Sequence, residues 1–382
     1  MAVQPVLTKK KSLLILGTRG VPARHGGFET FAERLALYLA GKGWDVTVYC
    51  QNEVSQSDDA TLRDAGRMDE WCGVRRVIFS PMAGPAGTIE FDWKCIRHAL
   101  GEDGVPLILG YNTAVFALAL RLRGRPVLMN MDGIEWKREK WGRAAKVWLY
   151  LNEWCGALLS SRLIADHPAI AAHLAIRRTR SAITMIPYGA DNVVDAPEYP
   201  VRKLGLVPGR YFLSIGRIEP ENSVLEMVEA YVSRGRETAF VCLGKLSPEA
   251  NRYHAAVIAA GGGRVLFPGA IYEADDVRAL RFHALAYCHG HTVGGTNPSL
   301  VESLGAGSAI VAHNNMFNRW VAGEGQLYFT DVQSCAEAFD RAEKDRQWLA
   351  SARTKAKCRF ERHFTWANIL RQYEVLCESF LE

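Results

Sequence analysis

Short runs of Leu, Ile and Val alternate along the chain with stretches in which apolar residues recur at helical spacing. Leu13–Leu16 is the first apolar run. A Gly-rich turn, 17–27, follows it. Phe28, Phe31, Ala32, Leu35 and Leu39 then fall on one helical face, which Gly41 and Gly43 end. Val46–Tyr49 predicts the next strand, and Val77–Phe79, Leu107–Leu109, Val127–Met129, Leu163–Ala165 and Thr184–Ile186 continue the series. The stretch 191–209 is rich in turn formers and lacks periodicity, which puts a domain linker there. The rhythm then restarts. Tyr211–Ile215, Phe240–Leu243, Val265–Phe267, Leu285–Cys288 and Ala309–Val311 read as strands. One helix buries Val224, Leu225, Val228 and Val232; others are predicted over Pro248–Ala260 and Ser299–Ala306. Thr365 is placed to cap a last helix, Trp366–Phe380.

Strands alternating with helices throughout predict an α/β protein: two Rossmann-like domains whose parallel sheets face a cleft. The expected division is 1–192, 193–363, and a terminal helix, 364–382, packing back on the first domain. Ligands of such sheets bind outside the carboxyl ends of the strands.

The 382 residues exceed one ordinary core and suit two. Hydrophobic residues at 48% and charged residues at 23% are ordinary for a soluble chain, and no apolar stretch is long enough to span a bilayer. Lys9, Lys10 and Lys11 lead into a strand and not into the apolar core of a signal peptide, so a cytoplasmic protein is expected. Nine dispersed Cys without a Cys-x-x-Cys pair argue for a reducing compartment, against a disulfide framework and against structural zinc. A net charge of +5 permits anionic ligands or an anionic membrane surface without calling for nucleic acid.

Three stretches carry candidate chemistry. Gly17-Thr18-Arg19-Gly20-Val21-Pro22, with His25-Gly26-Gly27-Phe28-Glu29, joins the first strand to the first helix. Glycines there let amides approach a diphosphate, and Arg19 and His25 add positive charge. The same pattern also reads as a tight βα connection. Gly216-Arg217 and Gly244-Lys245 end two neighbouring strands, where cations can stabilise a diphosphate leaving group. His289 to Glu302 is the most specific stretch: a Gly-rich turn through Gly294, Gly295, Thr296 and Asn297, then a helix opening at Pro298 or Ser299. Amides from Thr296 to Leu300 can take phosphate or sugar oxygens, and Glu302 can accept from a nucleoside sugar. His289-x-His291 lacks carboxylate or Cys partners, so no metal is expected.

A further stretch interleaves Lys137, Arg138, Lys140, Arg143 and Lys146 with Trp136, Trp141, Trp148 and Tyr150. Read as an amphipathic helix over 136–154, it either lies on an anionic membrane or packs its Trp inward with its charges solvated.

These segments together resemble glycosyltransferase family 4. The subgroup is that of bacterial rhamnosyltransferase-type enzymes whose N-terminal domain carries Gly-Thr-Arg-Gly-x-Pro. Asn130-Met131-Asp132-Gly133-Ile134-Glu135-Trp136-Lys137-Arg138, Ile186-Pro187-Tyr188-Gly189-Ala190-Asp191 and Phe364-Thr365-Trp366 through Tyr373 extend the likeness over nearly the whole chain. The resemblance implies a GT-B fold with the acceptor on the first domain and the nucleotide sugar on the second. It implies a retaining, metal-independent transferase with no cofactor beyond its nucleotide-sugar co-substrate. L-rhamnose from dTDP-rhamnose is the implied donor. A glycan or lipid-linked acceptor in exopolysaccharide, capsule or cell-wall synthesis is the implied partner, in the cytoplasm or at the inner face of the membrane.

By the same resemblance Arg217 is the phosphate-binding Arg; with Asp132, and with Lys245 as the second cation read from its strand end, it is expected to be catalytic. Gly26, Gly27, Arg217, Lys245, His291, Gly295, Thr296, Asn297, Ser299, Leu300 and Glu302 bind the donor, and Arg19, His25, Glu29 and Asp132 face the acceptor. The sequence departs from the broader family at Gly294, Asn222 and Met131, where a Glu, a Lys and a His are usual. Competing readings are a UDP-glucose, UDP-galactose or GDP-mannose transferase, a nonhydrolysing nucleotide-sugar epimerase, and a non-catalytic nucleotide-sugar binder. A dehydrogenase is disfavoured: Gly-x-Gly-x-x-Gly is missing from the first loop, and Glu53 is a weak match for the ribose carboxylate.

Overall fold

The computed structural model describes residues 10–24, 26–52 and 66–381; His25 and Glu53 lie outside them. The chain forms two compact units. One runs to Ile186 and resumes at Ile369; the other is Pro187–Asn368.

The first unit is built on a sheet with strands β1 (Ser12–Leu16), β2 (Asp45–Gln51), β3 (Arg67–Trp71), β4 (Val74–Phe79), β5 (Val105–Leu109), β6 (Leu128–Asn130), β7 (Arg162–Ala165) and β8 (Ile183–Met185). Their order is β3-β4-β2-β1-β5-β6-β7-β8. Every pairing is parallel except β3 with β4. β1 is buried along its whole length, as a central strand covered on both faces must be.

The second unit has β9 (Tyr211–Ile215), β10 (Ala239–Leu243), β11 (Val265–Gly269), β12 (Ala286–His289), β13 (Ala309–His313) and β14 (Leu327–Phe329), all parallel, in the order β11-β10-β9-β12-β13-β14. Alternation along these strands feeds two cores. Phe212, Phe240, Cys288 and Val311 enter one; Tyr211, Leu213, Val241, Tyr287 and Ile310 enter the other. The α/β class and the two parallel-dominated sheets are those expected from the sequence.

Several boundaries differ from the sequence reading for local reasons. The first helix is Gly26–Ala40, so Gly26 and Gly27 form its opening turn and not the loop before it. The helix read over Pro248–Ala260 spans Arg252–Gly261, because the Asn251 side chain caps it by accepting from the Tyr253 and His254 amides. Trp136 to Trp154 is not one helix. A short 3-10 turn, Glu135–Lys137, precedes a helix over Arg143–Leu159. The final helix is Trp366–Glu378. Its Tyr373 packs on Phe31 at 4.5 Å and accepts from the Asn130 side chain at 2.9 Å. Among the described residues no helix is long and apolar enough to cross a membrane.

Candidate active site

In the first unit the loop after β1 is shaped by close backbone approach. Gly17 has φ +79°, and a Cβ on it would stand 2.2 Å from the Leu109 carbonyl oxygen. At Gly20, φ is +127° and a Cβ would stand 2.7 Å from Cys50 Sγ. No larger residue fits either position. These two glycines are thus explained by packing on β5 and β2. Arg19 is exposed; its amide donates to Glu29 Oε1 at 3.3 Å, and the Ala23 amide donates to Glu33 Oε2 at 2.5 Å. Glu29 lies in the first turn of the helix, where a carboxylate suits the positive end of the helix dipole.

Asp132 follows β6 with φ 51°, in the left-handed region that non-glycine residues rarely adopt. The Asn130 side chain accepts from its amide at 3.0 Å. Burial pushes the Asp132 carboxyl up to about 6, and the Glu135 charge adds to this; the Gly133 amide, Arg138 and Lys140 oppose it. Glu135 goes the other way. Burial would raise it, but Arg138 at 2.8 Å, Lys140 at 3.5 Å and the Trp141 indole at 3.2 Å hold it below its ordinary value. Two carboxyls three positions apart are therefore split, one proton-prone and one firmly ionised, a contrast typical of acid–base sites.

In the second unit, the candidate residues gather at the carboxyl ends of β9, β10 and β12. A Cβ on Gly244 would stand 2.4 Å from the Gly216 carbonyl oxygen, and one on Gly216 would stand 3.1 Å from the His291 ring. Small residues here let adjacent strand ends close up. Arg217 and Lys245, the next residues, are exposed. Arg217 makes a surface ion pair to Glu219 at 3.3 Å.

The helix Pro298–Gly305 starts where Asn297 caps it, accepting from the Ser299 amide at 3.0 Å, with Pro298 at the first helical position. Ser299 Oγ meets Tyr287 Oη at 2.6 Å and accepts from Arg281 at 3.1 Å. Arg281 also pairs with Glu302 at 2.6 Å. Thr296 is buried, Gly295 is half-buried, and the Leu300 side chain lies in the core. Arg281 and Tyr287 were not anticipated from the sequence; they come from a helix and a strand with no motif of their own.

His289 and His291 stack face to face, with ring centroids 4.2 Å apart and planes 4° from parallel. Asn315 and Asn318 donate to the His291 carbonyl at 2.9 and 2.8 Å and fix this turn from the next helix. His289 is fully buried, and neither of its ring nitrogens has a hydrogen-bond partner among the described residues. Burial, then the neighbouring His291, hold its pKa well below the ordinary range, so it is neutral at pH 7. A buried imidazole with two unused nitrogens is costly in isolation, and that cost commonly marks a functional position. Among the described residues no group of three or more His, Cys, Asp or Glu is gathered as for a metal ion.

Arg281→Met is expected to lower stability by about 1–2 kcal/mol, less than loss of a fully buried pair, because Glu302 is partly solvated. Urea unfolding reads this, and a second change, Glu302→Leu, is expected to recover part of the loss.

Residues 10–191 match the family described as "Domain of unknown function (DUF1972)". No curated protein matches the chain. Solved structures do. Sucrose-phosphate synthase from Thermosynechococcus elongatus is similar with TM-score 0.80 at 16% identity, over 97% of this chain and 99% of that one. Anabaena HepE in complex with UDP is similar with TM-score 0.73 at 15% identity, over 97% and 100%. The UDP-forming α,α-trehalose-phosphate synthase from Burkholderia xenovorans, in complex with glucose-6-phosphate, gives 0.74 at 11%, over 96% and 100%. The chain thus has the fold of GT-B glycosyltransferases, as the sequence led us to expect.

Proposed function

We propose that this protein is a retaining, metal-independent glycosyltransferase that moves L-rhamnose from dTDP-rhamnose to a glycan or lipid-linked acceptor in bacterial surface polysaccharide synthesis. The observation that carries the reading is the cluster at the strand ends of the second unit. There, exposed Arg217 and Lys245 follow two closed-up glycines and neighbour a capped helix start bearing Ser299 and Glu302. Such a site suits a nucleoside diphosphate: cations and helix amides for the phosphates, and a carboxylate for the ribose hydroxyls.

In this reading the acceptor hydroxyl approaches the anomeric carbon on the face of the leaving diphosphate. The new C–O bond forms as the sugar–phosphate bond breaks, and the departing phosphate oxygen takes the hydroxyl proton. No protein nucleophile is needed. Arg217, Lys245 and the amides of Thr296 to Ser299 stabilise the charge that develops on the diphosphate. Asp132 orients the acceptor or stabilises the cationic sugar.

A second reading keeps the chemistry and changes the donor to a UDP-hexose. It is favoured by the UDP bound in the similar HepE structure and by the UDP-forming synthase.

The test presents the purified protein with dTDP-rhamnose, UDP-glucose, UDP-galactose and GDP-mannose, with and without a lipid-linked acceptor, and follows nucleoside diphosphate release. Acceptor-dependent release from dTDP-rhamnose is expected. Release from UDP-glucose or UDP-galactose alone moves the assignment to the second reading. Conversion of a donor to its epimer without acceptor overturns both. Thermal shift against dTDP, UDP, GDP and NAD gives an independent readout, since a ligand that binds only the native state raises apparent stability.

A further inference from the structure

The helix Arg143–Leu159 turns a stripe of apolar residues to the outside. Its inward face carries two buried polar side chains beside Leu149, Gly156 and Ala157. Asn152 accepts from the Val115 amide at 3.0 Å and donates to the Trp148 carbonyl at 3.0 Å. Glu153, fully buried, takes Arg177 at 2.5 Å, and His173 and the Trp136 indole at 3.0 Å each. Its outward side chains are largely apolar. Val147, Leu151 and Leu158 are exposed by 59%, 54% and 59% and share one helical stripe. Trp148 and Tyr150 flank the stripe and are also exposed. The neighbouring helix Ala117–Leu122 adds Leu118 and Leu122, exposed by 46% and 78%. A surface helix normally keeps its solvent-facing stripe polar.

Charge selects the occupant. Arg121 and Arg143 are exposed on these helices and Arg123, Lys137 and Lys140 on the chain between them, whereas Glu139 is the exposed acid between 117 and 159. A second copy of the chain meeting this face through a two-fold axis would bring the same cations against each other. A surface of anionic headgroups over an apolar interior matches both features at once.

We propose that the outward faces of 117–122 and 143–159 dock on a membrane surface carrying anionic headgroups, with Val147, Leu151, Leu122 and Trp148 entering the headgroup–acyl boundary and the cations engaging phosphates. This goes beyond the transfer reading and does not depend on it. The docking elements also differ from the single 136–154 helix read in the sequence.

The test is co-sedimentation of the full chain with vesicles of phosphatidylcholine alone and of phosphatidylcholine with phosphatidylglycerol, at low and high salt. Binding to the anionic vesicles is expected, weakened by salt. The pair Val147→Glu and Leu151→Glu is expected to reduce binding by about tenfold or more. The pair Arg121→Glu and Arg143→Glu is expected to reduce it by at least about fivefold per charge removed. All four positions are exposed, so thermal unfolding of both variants is expected to match the parent, which separates lost docking from lost folding. No binding of the parent to anionic vesicles overturns the proposal, as does equal binding by both variants. A dimer in light scattering that Val147→Glu and Leu151→Glu dissociates, without vesicle binding, assigns the face to a second copy instead.

Discussion

Asp132→Asn is expected to yield a protein that is more stable at pH 7.5 and transfers almost no sugar. The left-handed backbone at Asp132, with φ 51°, is one that Asn tolerates, so the substitution adds no strain. The electrostatic gain follows from the carboxyl being pushed up to about 6 from an ordinary 3.8, first by burial and then by Glu135. A raised acid means that the folded state holds this proton more tightly than the unfolded one. Between about pH 4 and pH 6 the unfolded chain has lost the proton while the folded chain keeps it, so stability declines as pH rises through that window. Above it both states are ionised and the penalty is fully present, at about 3 kcal/mol. Asn carries no such penalty. Urea unfolding of the two proteins is expected to show the variant ahead by about that amount at pH 7.5, with the gap closing near pH 4. A constant gap across that range would mean that the difference has another source.

Activity is expected to move in the opposite direction. Under the proposed reading the carboxylate orients the acceptor or faces a developing cationic sugar, and an amide does neither. A loss on the order of 10²–10³ in turnover is the range for removing one preorganised group that stabilises transition-state charge. Gained stability with lost turnover is the trade expected where a site holds a costly group for its chemistry. Gained stability with unchanged turnover would leave Asp132 as a strained residue without a role in transfer.

Legibility in the sequence followed burial. β1 and β9 are central strands, buried over most or all of their length, and announce themselves as apolar runs. β3 does not: Arg67–Trp71 pairs only with β4 at the sheet edge, so its side chains are mostly solvated and polar. Asn297-Pro298 was readable as a helix start because a cap and a fixed φ are local properties. The partners of Ser299 and Glu302 were not. Arg281 and Tyr287 reach them from a separate helix and strand, and only the fold brings these together. The helix 143–159, read as part of one helix over 136–154, was legible only in part. Its period was clear, but which face turns inward depends on Arg177 and His173 waiting to receive Glu153. Apolar residues lie on both sides, Leu149 and Ala157 inward and Val147 and Leu151 outward, so hydrophobicity alone does not choose the face.

Arg217→Ala is expected to lower turnover by about 10²–10³ while leaving the fold intact, and the two halves of that outcome have separate causes. Arg217 stands just past the end of β9, exposed, with an ion pair to Glu219 at 3.3 Å. A surface pair of this kind contributes at most about 1 kcal/mol, so unfolding in urea is expected to change little. Arg281, the other arginine near this helix start, is already held by Glu302 and Ser299 and buried, whereas Arg217 and Lys245 are exposed, as the proposed reading requires of cations that meet a diphosphate. Under the proposed chemistry the leaving diphosphate gains charge as the glycosidic bond breaks. A cation aimed at it stabilises the transition state more than bound donor, so kcat is expected to fall further than KM rises. Arg217→Lys is expected to recover part of the rate, since it restores charge without the two-pronged geometry. Normal turnover in a normally folded Arg217→Ala protein would remove the phosphate role from this residue. A matched loss of stability and activity would instead make Arg217 a structural residue of the β9 turn.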